Sequence, residues 1–174
     1  MANALLPLTN INFEVFYSTN RLIGVAEVTL PDLEFMNAEI SGAGVAGKFN
    51  APVIGFVDSA EIELSWRTIV KDLSIFTTPG AIDLTLYSAM ESYNHSTGKL
   101  GAEQVKITTR VFNKKIGLGS LKPAEQTETK TTLEVLTLKA EVGGKVIIDF
   151  DKINYKYIVN GTDYLQGTRS ALGI

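Results

Sequence analysis

Residues Glu34–Trp66 read EFMNAEISGAGVAGKFNAPVIGFVDSAEIELSW. At the far end Ile62, Leu64 and Trp66 alternate with Glu61, Glu63 and Ser65. Successive side chains of a strand point to opposite faces, so this period of two puts one row in a core and the other in water. At the near end, Glu34–Ser41 reads as an extended piece with much polar surface. Between them runs a long Gly-punctuated excursion, residues 42–58, read as a loop. A loop of that length needs a reason in a compact domain. It has few charges for a solvated linker, and Val45, Phe49, Val53, Ile54, Phe56 and Val57 give it too much apolar weight to hang in water. Such a segment needs cover, either on its own domain or on a neighbouring subunit.

Outward from this stretch the chain continues in β-strand patterns. Asn12–Tyr17 alternates as a first strand, Ser18-Thr19-Asn20 is turn chemistry, and Leu22–Leu30 is a β-branched strand stopped by Pro31. After Trp66, Ile69, Leu73 and Phe76 recur at helical spacing, which predicts one amphipathic helix over residues 68–76, the only substantial helix of the chain. Ile82, Leu84 and Leu86 then alternate in a strand. A polar connection over residues 91–101 leads to a partner strand carrying Val105, Ile107, Thr109 and Val111. Residues 113–130 read as a mobile polar surface loop. Thr131–Val142 and Lys145–Asp149 form a hairpin around Gly143-Gly144, and Ile153, Tyr155, Tyr157 and Val159 alternate up to Asn160-Gly161, a type I′ turn signal. The tail, residues 162–174, ends apolar and is expected to dock. Roughly eight strands at close spacing with one helix indicate a mainly β domain, two packed antiparallel sheets in a sandwich or partly open barrel, over residues 1–174.

Composition narrows the functional classes. The chain has 174 residues, no cysteine, a single histidine and a formal net charge of −3. A domain of this size buries roughly 70% of its unfolded surface and needs no staples. Without cysteine there are no thiol nucleophiles, thiolate zinc sites or disulfides, and with His95 alone there is no multi-histidine metal site. Lys and Arg form no block that would act as a nucleic-acid footprint. Met1–Leu8 lacks the pattern of a signal peptide, and no stretch approaches the roughly 20 apolar residues of a membrane span, so stable membrane insertion is not expected and a soluble, cytoplasmic protein is. In that setting the sequons at Asn94 and Asn160 are chance matches at turns.

Residues 42–47 spell G-x-G-x-x-G, but a dinucleotide site needs an apolar strand before the glycines and a helix opening after them. Lys48-Phe49-Asn50-Ala51-Pro52 cannot start that helix, so Gly42, Gly44 and Gly47 are read as positions that allow positive φ and close approach at a contact surface. His95 falls in a polar turn, Asp149 and Asp151 lack the further ligands of a calcium loop, and Trp66 is a core anchor. Lys114, Lys115, Lys122 and Lys130 have no interleaved aromatics and read as solvated. No catalytic, cofactor or metal site is expected, and the unusual features, a semi-apolar loop and an apolar tail, point to self-assembly.

The order VTLPDL (Val28–Leu33), SGAGVAG (Ser41–Gly47), the Trp66 strand followed by a short helix, and IDFDKINYKYIVNGTDYLQGTRSALGI (Ile148–Ile174) resembles the major tail tube proteins of contractile phage tails and phage-tail-like bacteriocin particles. The resemblance covers nearly the whole chain. It implies a non-enzymatic virion subunit whose hexameric rings stack into a hollow tube, each subunit adding strands to a continuous inner barrel. Partners would be other copies of the chain, the sheath, and baseplate and tail-terminator proteins, with assembly in the host bacterial cytoplasm. Contraction of the sheath would drive the tube through a cell envelope, and non-specific DNA would pass through the lumen. Subunit-interface candidates are then Gly42, Gly44, Gly47, Phe49, Pro52, Val53, Phe56, Leu172 and Ile174. Lumen-facing candidates are Glu61, Glu63, Ser65, Lys106, Thr108 and Arg110. A monomeric β-sandwich binding module is the alternative, with Tyr155 and Tyr157 as its candidate contact aromatics.

Overall fold

A computed structural model describes residues 5–174; Met1–Ala4, the start of the apolar N-terminal lead, lie outside the described residues. The strands are β1 (Leu5–Tyr17), β2 (Asn20–Arg21), β3 (Val25–Thr29), β4 (Phe35–Ile40), β5 (Phe49–Val57), β6 (Glu61–Trp66), β7 (Ala81–Asn94), β8 (Lys99–Gly117), β9 (Thr129–Val142), β10 (Lys145–Asp151), β11 (Lys156–Val159) and β12 (Thr162–Asp163). All pairings are antiparallel and make two sheets, one of ten strands and one formed by β4 and β5 alone. The large sheet does not close into a barrel.

Strand β9 organises the body. Its whole length pairs with β8 on one edge. On the other edge its first half, Thr129–Glu134, pairs with β6, and its second half, Thr137–Val142, pairs with β10. The partners change at a bulge: Arg110 faces Thr137 while Val111 faces Val135, which leaves Leu136 as the extra residue. At the bulge the Val135 amide donates to the Ala60 carbonyl (2.8 Å) and the Leu136 carbonyl accepts from the Lys152 amide (3.1 Å). A bulge also shifts side-chain parity, so β9 buries Thr129, Thr131, Leu133 and Val135 before it and Leu138 and Ala140 after it.

The core lies on one face of the curved sheet. Ile62, Leu64 and Trp66 meet Ile82, Leu84, Leu86, Val111 and Leu133 there, as the alternation predicts. The Trp66 ring packs edge-on to Phe76 (centroids 5.8 Å), and its Nε1–H donates to Thr131 Oγ1 at 3.0 Å. Buried Thr129 donates to the Leu118 carbonyl at 2.9 Å, and Thr109 to the Thr137 carbonyl at 2.7 Å. Among the described residues no buried side-chain nitrogen or oxygen lacks a partner.

Several local expectations differ from the structure. Among them, the strand expected over Leu22–Leu30 is only Val25–Thr29, which pairs with β6 and not with β1, and the strand expected from Ile153 begins at Lys156. The predicted helix is a seven-residue 3-10 helix, Lys71–Thr77, which buries Leu73 and Phe76; Val70 just before it is extended (φ −120°, ψ 160°). Preceding β-branched residues and Pro79-Gly80 leave no room for a longer helix. The α-helix of the chain is instead α1, Gln166–Leu172, in the tail. The first strand begins at Leu5 rather than Asn12, because its N-terminal half pairs with the far end of β7 in a projecting arm. Strand β8 continues to Gly117, so the polar loop shrinks to residues 118–128. The Asn160-Gly161 turn has positive φ at both residues (48° and 85°), as type I′ requires.

Replacing Thr131 by Val leaves the Trp66 indole N–H buried without an acceptor. The expected loss is about 1–3 kcal/mol, read from chemical denaturation. Adding Trp66→Phe to Thr131→Val should cost less than the two single losses summed.

Candidate assembly surface

The excursion after Ile40 is half strand. Residues 41–48 form the tip of a hairpin, and residues 49–57 return as β5 against β4, with Ile40 opposite Phe49, Ala38 opposite Ala51 and Asn37 opposite Pro52. The apolar weight that argues against a free loop is therefore carried by a two-stranded arm. Alternation sorts its residues. Ala38, Ile40, Phe49 and Ala51 share one face, with Met36 and Val53 in line, while Asn37, Glu39 and Asn50 occupy the other. Lys48 donates to Glu39 at 2.9 Å on the polar side. Nearly every residue of the arm is exposed, and Phe49 retains 52% of its accessible surface. An isolated two-stranded ribbon is marginal in water, and this one presents an apolar face without cover from its own chain.

The predicted interface residues divide accordingly. Phe49 and Val53 fall on the apolar face. Gly42, Gly44 and Gly47 form the arm's tip with φ of 120°, 93° and 150° and nothing of their own chain within 4 Å of a built Cβ. They serve the turn, and no close approach within the chain explains them. Pro52 lies on the polar face. Phe56 sits at the root, its ring edge-on to Tyr155 (6.1 Å). Leu172 and Ile174, at the end of α1, remain 56% and 70% exposed. The tail docks through Leu165, which is buried, and not through its apolar end. Met36 and Ile40 belong to the same apolar face and were missed; their signal was the alternation of β4, obscured by reading the segment after Ser41 as loop.

The second predicted set is brought together. Strand β6 flanks the first half of β9, while Lys106, Thr108 and Arg110 of β8 lie beside its second half. Because the bulge reverses parity between the halves, Glu61, Glu63 and Ser65 still lie on the same outward face of the sheet as Lys106, Thr108 and Arg110, opposite the core. There the cations stand beside carboxylates. Arg110 grips both oxygens of Asp83 (2.7 and 2.9 Å), Lys130 reaches Glu63 (2.8 Å), and Lys114 pairs with Glu61. Lys139 and Lys106 approach Glu141 at 2.8 and 3.7 Å, and Lys156 binds Asp149 at 2.6 Å. Hydrogen bonds from Arg110 hold the Asp83 carboxyl below its ordinary value, and those from Lys139 do the same for Glu141. The Glu61 and Glu63 carboxylates raise Lys114 and Lys130. Chain-wide acidity is thus not concentrated on this face, where opposite charges alternate.

Tyr155 and Tyr157 do not share a cleft; Tyr155 borders a small one with Gly55 and Leu165, and Tyr157 does not line it. Tyr155 occupies the turn after β10 with φ 49° and meets Phe56, while Tyr157 packs on Phe35 (5.8 Å) and Tyr164 (6.3 Å). His95 stacks edge-on to Tyr93 in the turn between β7 and β8. No group of three His, Asp or Glu side chains placed for a metal occurs among the described residues. No helix among them is long and apolar enough to cross a membrane.

The described chain thus combines an exposed amphipathic arm, an antiparallel β body and an outer face of paired charges. The pattern of the phage tail tube protein FII family matches residues 9–173, and the chain belongs to that family. It is similar to the tail tube protein of Escherichia phage P2, 28% identical over 167 residues that cover 92% of this chain and 94% of the phage protein. Its fold is similar to a chain in the sheath/tube terminator of an extracellular contractile injection system, PVC, with a TM-score of 0.55, 16% identity and coverage of 78% of this chain and 97% of that one. A chain of the PVC sheath-tube complex matches at a TM-score of 0.51, 16% identity, 75% and 88% coverage.

Glu134 supplies a pH signature near the junction of β6, β9 and β10. Burial raises its pKa, but hydrogen bonds from Ser59 and Lys152, the Lys152 charge and the Ala60 amide outweigh burial and hold it below the ordinary glutamate value. A lowered folded pKa means that the unfolded chain binds the proton first. Its stabilisation is therefore complete above the ordinary glutamate pKa and is lost as pH falls through the folded value. Glu134→Gln should flatten the acid limb of a stability-versus-pH curve by up to about 1 kcal/mol, with little change in slope at neutral pH.

Proposed function

We propose that the chain is a non-enzymatic structural subunit of the inner tube of a contractile phage tail or phage-tail-like particle. Hexameric rings of it stack into a rigid conduit within a sheath, and sheath contraction drives the tube through the target envelope. The observation that carries this reading is the β4–β5 arm, whose apolar face has no cover on its own chain; a second copy supplies that cover. Family membership supports the tube role, and the likeness of the fold to chains of a sheath/tube terminator and a sheath-tube complex supports sheath and terminator partners. Baseplate proteins complete the set, with assembly in the bacterial cytoplasm. In this reading Phe49 and Val53, with Met36 and Ile40, bury against a neighbour, and Leu172 and Ile174 contribute to packing between subunits.

The outward face carrying Glu61, Glu63, Ser65, Lys106, Thr108 and Arg110 is the lumen-facing surface in this proposal. A conduit for DNA must not hold phosphate tightly, and each cation paired with a carboxylate has less to offer a phosphate than a free one. Paired charge replaces net acidity as the means of keeping cargo moving.

Two outcomes test the reading. Phe49→Asp should change monomer stability by no more than about 0.5 kcal/mol, since the ring is half exposed, yet abolish rings and tubes in negative-stain electron microscopy. Tubes that persist with Asp at 49 would overturn the arm's role. Separately, Glu61→Gln with Glu63→Gln frees Lys130 and leaves Lys114 only its longer approach to Glu134 at 3.8 Å. Retention of short DNA by assembled tubes at low salt should then rise roughly tenfold and vanish at high salt; unchanged retention would place this face elsewhere.

A further inference from the structure

We infer that Leu165 and Arg169 of the tail are positioning residues, a latch that fixes the direction in which the β4–β5 arm leaves the body. The inference deepens the tube-subunit reading and rests on it. The arm forms a sheet of its own, so no backbone ladder to the ten-stranded sheet sets its angle. Its direction depends on side chains at its root.

There β5 lies directly on the tail. A Cβ built at Gly55 would come within 2.7 Å of Leu165 Cγ, and Gly55 has φ +70°, so backbone and leucine are in contact with no side chain between. Leu165 is only 3% exposed, yet it lies outside the hydrophobic cluster that makes the body's core. A buried leucine away from the core has its work at this junction. Phe56 on Tyr155 and Phe35 on Tyr157 complete the seat, beside a cleft of about 210 Å³ bounded by Gly55, Asp151 and Leu165.

Arg169 holds the seat together. Its guanidinium pairs with Asp163 and donates to the Tyr155 carbonyl at 2.7 Å, while Asp163 also accepts from the Leu165 amide at 3.0 Å. One planar fork therefore ties α1, β12 and the turn after β10. Those are the three pieces that present Leu165 and Tyr155 to the arm. An apolar arm that must land on a neighbour gains affinity when its direction is set beforehand, because less orientational freedom is lost on assembly.

The chain has no cysteine, so paired spin labels report cleanly. Ala46→Cys at the arm's tip with Lys145→Cys measures tip-to-body distance, and Thr85→Cys with Lys145→Cys serves as the body control. The unaltered latch should give one narrow distance distribution for the tip pair. Arg169→Ala and Leu165→Ala should each widen it roughly twofold or more and leave the control pair narrow. In unlabelled protein both should lower tube yield, and Arg169→Lys, which keeps the charge but loses the fork, should fall between. An unchanged tip distribution would overturn the latch, and so would equal widening of both pairs, which makes these residues general stabilisers. Failure of the unaltered chain to form rings or tubes would instead refute the tube-subunit reading, while the label distances still judge the latch.

Discussion

Strand β9 has partners along both edges, and one edge changes hands at the Leu136 bulge. Everything else in the molecule is placed by that exchange. Because β6 takes the first half and β10 the second, the sheet forks, and the two branches curve over a shared core that includes Leu64, Trp66 and Phe150. The bulge reverses side-chain parity at the fork, so both halves of β9 still bury their apolar rows. Interior threonines serve the same end. Thr131 accepts from Trp66, Thr129 donates to Leu118 and Thr109 donates to Thr137, each directing one buried polar group to one partner. Such pairings penalise a slipped register, because any slip leaves a donor unpaired in the core.

Two consequences reach the assembly surface. The fork sets β8 on one edge of β9 and β6 and β10 on the other, with their polar rows outward; Glu61 then meets Lys114 across β9, Glu63 meets Lys130 of β9, and Asp149 meets Lys156 of β11. It also leaves β10 to carry β11, β12 and the tail helix to the place where the β4–β5 arm departs. The apolar arm and the tail that seats it are far apart in sequence and adjacent in space. A subunit that exposes apolar surface and still avoids indiscriminate aggregation gains from such an arrangement, since a directed arm fits one complementary surface better than many.

Legibility in the sequence followed the strength of local patterning. The row Ile62, Leu64, Trp66 and its facing row Glu61, Glu63, Ser65 were readable because alternation persists through the whole of β6 and burial obeys it. Asn160-Gly161 and Gly143-Gly144 were readable because turn chemistry is local. Strand β5 was not, since Pro52 and Gly55 interrupt its alternation and an arm without a core behind it shows no one-sided burial. The helix at residues 68–76 had the right spacing and the wrong geometry: Leu73 and Phe76 are buried, but three residues apart on a 3-10 turn. The tail helix gave little signal because it buries no residue of its own.

The residues alone settle a β-rich, cysteine-free domain, its two-faced strands, its tight turns and a segment too apolar to stand uncovered. Those properties reside in neighbours one to four positions apart, where alternation and turn preference act. The division of β9 between β6 and β10, the pairing of Arg110 with Asp83 across two strands, and the seating of Gly55 on Leu165 arise from contacts between residues distant in the chain. No local preference encodes them, because each exists only once the sheet has folded and carried its partners into reach.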